Sequence, residues 1–215
     1  FFSKFFDDFP TGMIAGVSDT YNIFDLVTNV FCGTLKDKIL ARDGVFVCRP
    51  DSGNPLDIVP WIFEQFYNSF GGYVNNKGYK VINEKIRVIW GDGMDAITID
   101  KLYSKIEELG WSSDNLTVGS GGGLLVKGID RDVQKFAIKA SAARINGTWV
   151  ELKKEPITDS GKRSKGGRLK LIKDGDKYIT VNESEQGENE LIEVYRNGEL
   201  LIDQKFEEIR ERLHN

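Results

Sequence analysis

Apolar residues recur along the first 130 positions as short runs separated by stretches of helical spacing. Ile14–Val17 is the first run, and a helical pattern follows from about Tyr21 to Phe31. Val45–Cys48 is the second, succeeded by a helix from about Pro55 to Phe70. Pro55 suits a first helical turn, where its missing N–H would lack a partner anyway. Ile86–Trp90 leads to a helix near Thr98–Leu109, which Gly110 can stop, and Leu116–Val118 is the fourth run. This alternation predicts a parallel α/β sheet, open or closed into a barrel.

The texture changes after about residue 130. Phe136–Ala142 and Thr148–Leu152 look like strands around Asn146-Gly147, a favoured hairpin turn. Further strands are expected at Leu169–Ile172, Tyr178–Val181 and Glu190–Tyr195. Asn197-Gly198 marks a turn before Glu199–Ile202, and a short helix is expected over Phe206–Leu213.

The composition fits a chain with a real core: 215 residues, 40% apolar and 29% charged. A net charge of −4 excludes a generally basic nucleic-acid coat. No apolar run approaches the roughly 18 residues that span a bilayer. Phe1–Phe6 lacks the basic-then-apolar layout of a signal peptide. With only Cys32 and Cys48, a disulfide scaffold is not expected, and a cytoplasmic home is. The single histidine, His214, argues against a Ser-His-Asp triad or a multi-histidine zinc site in this chain.

Charge is uneven. Residues 131–170 carry 11 basic and 4 acidic groups, whereas the flanking stretches are both acidic. A basic island in an acidic chain points to a local anion partner, with a solvated charged face as the plain alternative.

Chemistry gathers where the four apolar runs end. They lead into Ser18-Asp19-Thr20-Tyr21, Arg49-Pro50-Asp51-Ser52-Gly53-Asn54-Pro55, Gly91-Asp92-Gly93-Met94-Asp95 and Gly119-Ser120-Gly121-Gly122-Gly123. Ligands of α/β folds collect at the carboxyl ends of parallel strands, so four polar, glycine-rich ends describe one composite site. Gly119–Gly123 can bring backbone N–H groups to a phosphate without Cβ obstruction. It is not a dinucleotide fingerprint, because Leu124 stands where G-x-G-x-x-G needs glycine. Asp51 and Asp92 can accept from ribose hydroxyls or hold Mg²⁺, or simply cap turns. Arg49 can form a flat cationic wall against an anion or a ring. Phosphate, ribose and cation together suggest a phosphorylated sugar.

The strings Val17-Ser18-Asp19-Thr20-Tyr21, Arg49–Pro55, Gly91-Asp92-Gly93 and Gly119–Leu125 resemble the nicotinamide phosphoribosyltransferase family of type II phosphoribosyltransferases. The likeness continues through Asp130-Arg131-Asp132, Lys139, Lys154-Glu155-Pro156 and Lys162–Lys165. It implies transfer of phosphoribosyl from PRPP to nicotinamide, giving nicotinamide mononucleotide (NMN) and pyrophosphate in NAD salvage. It also implies that residues 1–129 are the C-terminal part of a parallel α/β barrel. Residues 130–215 would then be a β-rich segment completing a second α+β domain.

By the same resemblance, Arg49 lies against nicotinamide and ribose, Asp51 binds ribose hydroxyls, and Asp19 orients the base and nearby side chains. Gly91 and Asp92 line the ribose, and Gly121 and Gly122 receive the 5′-phosphate. Arg131 and Lys139 reach phosphates across a homodimer interface, while Lys154 and Lys162 lie near pyrophosphate or ATP phosphates. Mg²⁺ accompanies the diphosphate. The family's catalytic histidine and the residues that hold the nicotinamide ring have no counterpart here, so the chain is expected to be a C-terminal fragment or a split subunit. The competing readings are a nicotinic- or quinolinic-acid phosphoribosyltransferase and a non-catalytic nucleotide-binding or dimerisation module.

Overall fold

A computed structural model describes the chain except at residues 127, 130–132, 134–137 and 213–215. It divides into two compact units: Phe1–Lys139 with Lys154–Ser164, and Ala140–Lys153 with Lys165–Asn215.

The first unit opens with helix α1 (Phe2–Asp8) and strand β1 (Ile14–Val17). Helix α2 (Ile23–Asp25) continues as a π-helical stretch over Leu26–Thr34, and α3 covers Lys36–Ala41. Strand β2 (Phe46–Arg49) leads to α4 (Pro55–Phe70), and a small hairpin follows from β3 (Gly72–Val74) and β4 (Lys80–Ile82). Then come β5 (Ile86–Trp90), α5 (Ala96–Glu108), β6 (Leu116–Val118) and the single turn α6 (Gly122–Leu125).

Strands β1, β2, β5 and β6 form one sheet in that order, every pair parallel. Among the described residues this sheet is open, so the α/β class holds and barrel closure is not seen. Helix α4 starts where Asn54 caps it, its side chain accepting from the Leu56 N–H at 3.2 Å, with Pro55 in the first turn. Ile58, Val59, Ile62, Phe63, Phe66 and Phe70 bury one face of it in the core. Phe2 and Phe6 of α1 meet Phe31 and Phe46 edge-on, closing the core behind β2.

Asn115 ties the β3–β4 hairpin to the sheet. It is fully buried, its Oδ1 accepts from the Ile82 N–H at 2.8 Å, and its amide donates to the carbonyls of Lys80 and Ser112. Neither α1 nor this hairpin stands out in the hydrophobic pattern, because each is shorter than the window that makes a periodicity visible.

In the second unit, β7 (Ala142–Ile145) and β8 (Thr148–Glu151) form a hairpin, as do β9 (Leu169–Asp174) and β10 (Lys177–Asn182). A third joins β11 (Tyr195–Arg196) to β12 (Glu199–Leu200), and helix α7 covers Phe206–Glu211. Both Asn-Gly pairs sit at the hairpin tips in the left-handed region, Asn146 at φ 49° and Asn197 at φ 50°.

Two expectations are corrected. Residues 138–141 are not strand; a two-residue turn pairs only what abuts it, so Ile145 faces Thr148 and the strand begins at Ala142. The strand expected over Glu190–Tyr195 shrinks to Tyr195 and Arg196, because its partner beyond the turn offers only two residues. The remainder of the Phe136–Ala142 expectation, and Leu213, lie outside the described residues. Among the described residues, no helix is long and apolar enough to cross a membrane.

Candidate functional site

Because β1, β2, β5 and β6 are all parallel, the loops that follow them leave one edge of the sheet together. Ser18 joins the first two. It is buried, its Oγ donates to the Gly16 carbonyl at 2.8 Å and accepts from the Arg49 N–H at 3.3 Å, and its own N–H reaches the Arg49 carbonyl.

Asp19 lies beneath these loops, 1% exposed. Its Oδ2 accepts from the Asp51 N–H at 2.9 Å and from the Ser52 hydroxyl. Its Oδ1 has no hydrogen bond but faces the Lys154 ammonium at 3.4 Å. A buried carboxylate persists only when paired, and here one lysine and two donors surround it. Asp51 sits above, half-buried, with Lys154 at 3.5 Å from one oxygen and Arg49 at 3.5 Å from the other. Arg49 is exposed on the outer side of this pair.

The segment that brings Lys154 comes from far along the chain. Glu155 and Ile157 donate their N–H groups to the carbonyls of Thr20 and Tyr21, both at 2.9 Å, so residues 155–157 run along the loop after β1. Asp159 caps a short 3₁₀ turn over Ser160–Lys162, accepting from the Gly161 N–H at 2.8 Å. Lys162 then stands 2.6 Å from Asp92 and donates to the Asp51 carbonyl. Two lysines from the basic island therefore lie on three aspartates from three different strand ends.

The third and fourth loops are joined through backbone. Gly119 donates to the Trp90 carbonyl at 2.8 Å, and the Ser120 hydroxyl donates to that of Met94. Gly123 is tightly seated: a Cβ there would fall 2.4 Å from the Met94 carbonyl oxygen. Gly121 precedes α6 and, like Gly122, is exposed with no side chain to cover its N–H. Gly91 is partly exposed beside them.

The expected residues thus divide. Asp19, Arg49, Asp51 and Lys154 share one ion-pair network, to which the Lys162–Asp92 pair is joined by the Lys162 bond to the Asp51 carbonyl, and Gly91, Gly121 and Gly122 belong to the adjoining loops. Lys139 is exposed and takes no part in that network. Arg131 lies outside the described residues. Ser18, Ser52 and Thr158 also organise the site; the first two lie within the strings Val17–Tyr21 and Arg49–Pro55 and Thr158 in none of them, and the Ser52 and Thr158 hydroxyls are 2.5 Å apart.

Cys48 is fully buried beneath Ser18, and burial pushes its thiol up to about 12, against a smaller opposing hydrogen bond from Ser18. Among the described residues, no three His, Cys, Asp or Glu side chains gather where a metal ion could be held. A mainly apolar cavity of about 860 Å³ runs beside β1, between α1 and the helix after Asn22, meeting the site at Ser18, Thr20 and Tyr21.

The chain is similar in sequence to known proteins. The chain is 39% identical over 209 residues to the nicotinamide phosphoribosyltransferase of Xanthomonas campestris pv. campestris, covering 94% of this chain and 44% of that protein. It is 32% identical over 228 residues to the protein of the same name from Acinetobacter baylyi, covering 95% and 45%. A third so named, from Mycoplasma pneumoniae, is 32% identical over 181 residues, covering 78% and 40%. The chain spans less than half the length of these relatives. Residues 6–199 match the nicotinate phosphoribosyltransferase (NAPRTase) family, and the chain belongs to that family.

Proposed function

We propose that this chain carries the ribose- and phosphate-binding part of a nicotinamide phosphoribosyltransferase, which makes NMN and pyrophosphate from nicotinamide and PRPP. The observation that carries the reading is the network in which Lys154 and Lys162 sit on Asp19, Asp51 and Asp92. Carboxylates that can take ribose hydroxyls stand beside cations that can take a diphosphate, and the relatives' names supply nicotinamide as the acceptor.

In the reaction, the bond from ribose C1 to the diphosphate oxygen breaks, and the diphosphate leaves with the electron pair. The nicotinamide ring nitrogen supplies the pair for the new bond to C1. Asp51 accepts from the ribose hydroxyls and fixes the sugar. The backbone at Gly91 and Asp92 lines it, and Gly121 and Gly122 turn N–H groups toward the 5′-phosphate. Arg49 walls the base and ribose, with Asp19 holding the Asp51 loop at its height. Lys154 and Lys162 exchange their aspartate partners for phosphate oxygens, so charge on the leaving group is neutralised as it develops. Asp51 or Asp92 would hold magnesium together with the diphosphate. When bound, it supplies further neutralisation of the leaving group. ATP phosphates are a second anion for the same lysines.

The four-stranded sheet is, in this reading, part of an α/β barrel within residues 1–129, and residues 130–215 belong to a second domain. β1 ends the sheet with one edge unpaired among the described residues, which supports a further strand there. The complete protein works in the cytoplasm as a homodimer, with Arg131 and Lys139 of one subunit serving phosphates of the other. Incubating the complete protein with PRPP, Mg²⁺ and either nicotinamide or nicotinate tests the reading: NMN is the expected product. Nicotinate mononucleotide alone would move the chain to the sister activity, and no product from either base would leave a binding module. Mixing an Arg131→Ala variant with one lacking its base-site histidine should restore activity if subunits share sites.

A further inference from the structure

The basic segment 154–164 is closed on itself at its base. The Lys154 N–H donates to Ser164 Oγ at 2.7 Å, and the Ser164 N–H returns to the Lys154 carbonyl at 2.9 Å. Between Lys154 and Lys162, the Thr158 side chain is anchored to the loop after β2. Its hydroxyl lies 2.5 Å from Ser52 Oγ, and a Cβ on Gly53, which is held at φ +89°, would come within 3.1 Å of Thr158 Cβ. Ser52 is fully buried and gives its single proton to Asp19. Its oxygen can therefore only accept from Thr158, and the order of donors runs from Thr158 to Ser52 to Asp19. Asp19 in turn holds the Asp51 N–H and faces Lys154.

We propose that Thr158 is a positioning residue that sets the distance of Lys154 and Lys162 from the site and so tunes its grip on a diphosphate. This rests on the reading of the two lysines as phosphate ligands. The hydroxyl fixes the segment midway between them, four residues from each. Without it, Ser52 keeps its bond to Asp19 and the loop after β2 keeps its shape, while the segment between the lysines keeps the backbone bonds of Glu155 and Ile157 and loses its side-chain tie to that loop. The proposal separates two parts of one ligand: the ribose and 5′-phosphate are held without the segment, the diphosphate is not.

The test compares Thr158→Val, which keeps the methyl on Gly53 and removes the donor, with Thr158→Ser, which keeps the donor. Titration calorimetry of the complete protein with sodium pyrophosphate and, separately, with NMN gives the readout. Thr158→Val should weaken pyrophosphate binding about fivefold, the loss expected for one net hydrogen bond, with NMN affinity unchanged. Thr158→Ser should retain both. Wild-type pyrophosphate affinity in Thr158→Val overturns the proposal if Lys162→Ala binds weakly. So does an equal loss for both ligands, which would mark a purely structural role. If Lys154→Ala and Lys162→Ala both bind pyrophosphate normally, the lysine reading itself falls and the proposal falls with it.

Discussion

The carboxylate of Asp19 and the ammonium of Lys154 face each other at 3.4 Å, in a pocket that leaves the lysine side chain 13% exposed and the aspartate 1% exposed. One comes from the end of β1, the other from the basic island far along the chain. The pair fastens the basic segment to the sheet and holds its first lysine beside Asp51.

Removing the acid should therefore cost stability as well as binding. Asp19→Ala leaves Lys154, the Asp51 N–H and the Ser52 hydroxyl without their shared acceptor. Urea denaturation should register a loss of about 2–4 kcal/mol, below the upper range for broken buried pairs because Asp51 still faces Lys154. Asp19→Asn keeps one acceptor and should lose less.

Asp51→Ala should behave differently. Its side chain is half-buried and its ion pairs with Arg49 and Lys154 are 3.5 Å long, so folding should be nearly unaffected. NMN affinity measured by calorimetry should fall at least about tenfold, for loss of charge-assisted bonds to ribose. Unchanged affinity would reduce Asp51 to a turn residue.

Gly123→Ala tests the fit between the last two loops. The new Cβ would meet backbone, 2.4 Å from the Met94 oxygen and 3.1 Å from its carbonyl carbon, with no flexible side chain to yield. A loss of roughly 1–3 kcal/mol in thermal or urea unfolding is expected, together with weaker binding of NMN.

Cys48 gives a pH signature. Burial raises its thiol from 9.0 to about 12. The native state therefore keeps a proton that the unfolded chain releases as pH passes 9. The stabilisation is complete below pH 9 and is lost between there and about pH 12, at up to about 1.4 kcal/mol per pH unit. Stability curves of the wild type and Cys48→Ala should run parallel below pH 9 and converge above it. Curves that stay parallel to pH 11 would contradict the raised value.

Local pattern already placed much of the scaffold. Ile14–Val17, Ile86–Trp90 and Leu116–Val118 are strands, and Pro55–Phe70 is a helix, at the expected residues. Burial of one face over a few neighbouring positions is written in the periodicity of those positions, and Asn-Gly turns need only their own backbone freedom. Polar strand ends likewise become a common edge as soon as the strands are parallel.

The pairing of charges was decided elsewhere. Nothing near Lys154 in sequence says that it meets Asp19 and Asp51 rather than Glu155, or that Lys162 bypasses Asp159 to reach Asp92. Those contacts exist because Glu155 and Ile157 lie along Thr20 and Tyr21, and Thr158 rests on Ser52 and Gly53. The same holds for the hairpin whose first strand begins at Ala142 and leaves residues 138–141 outside it. Sequence by itself determined which residues bury a face and which strand ends carry polar groups. Tertiary structure alone decided which distant donors and acceptors meet, because that choice depends on chain topology and on the burial that makes each pairing obligatory.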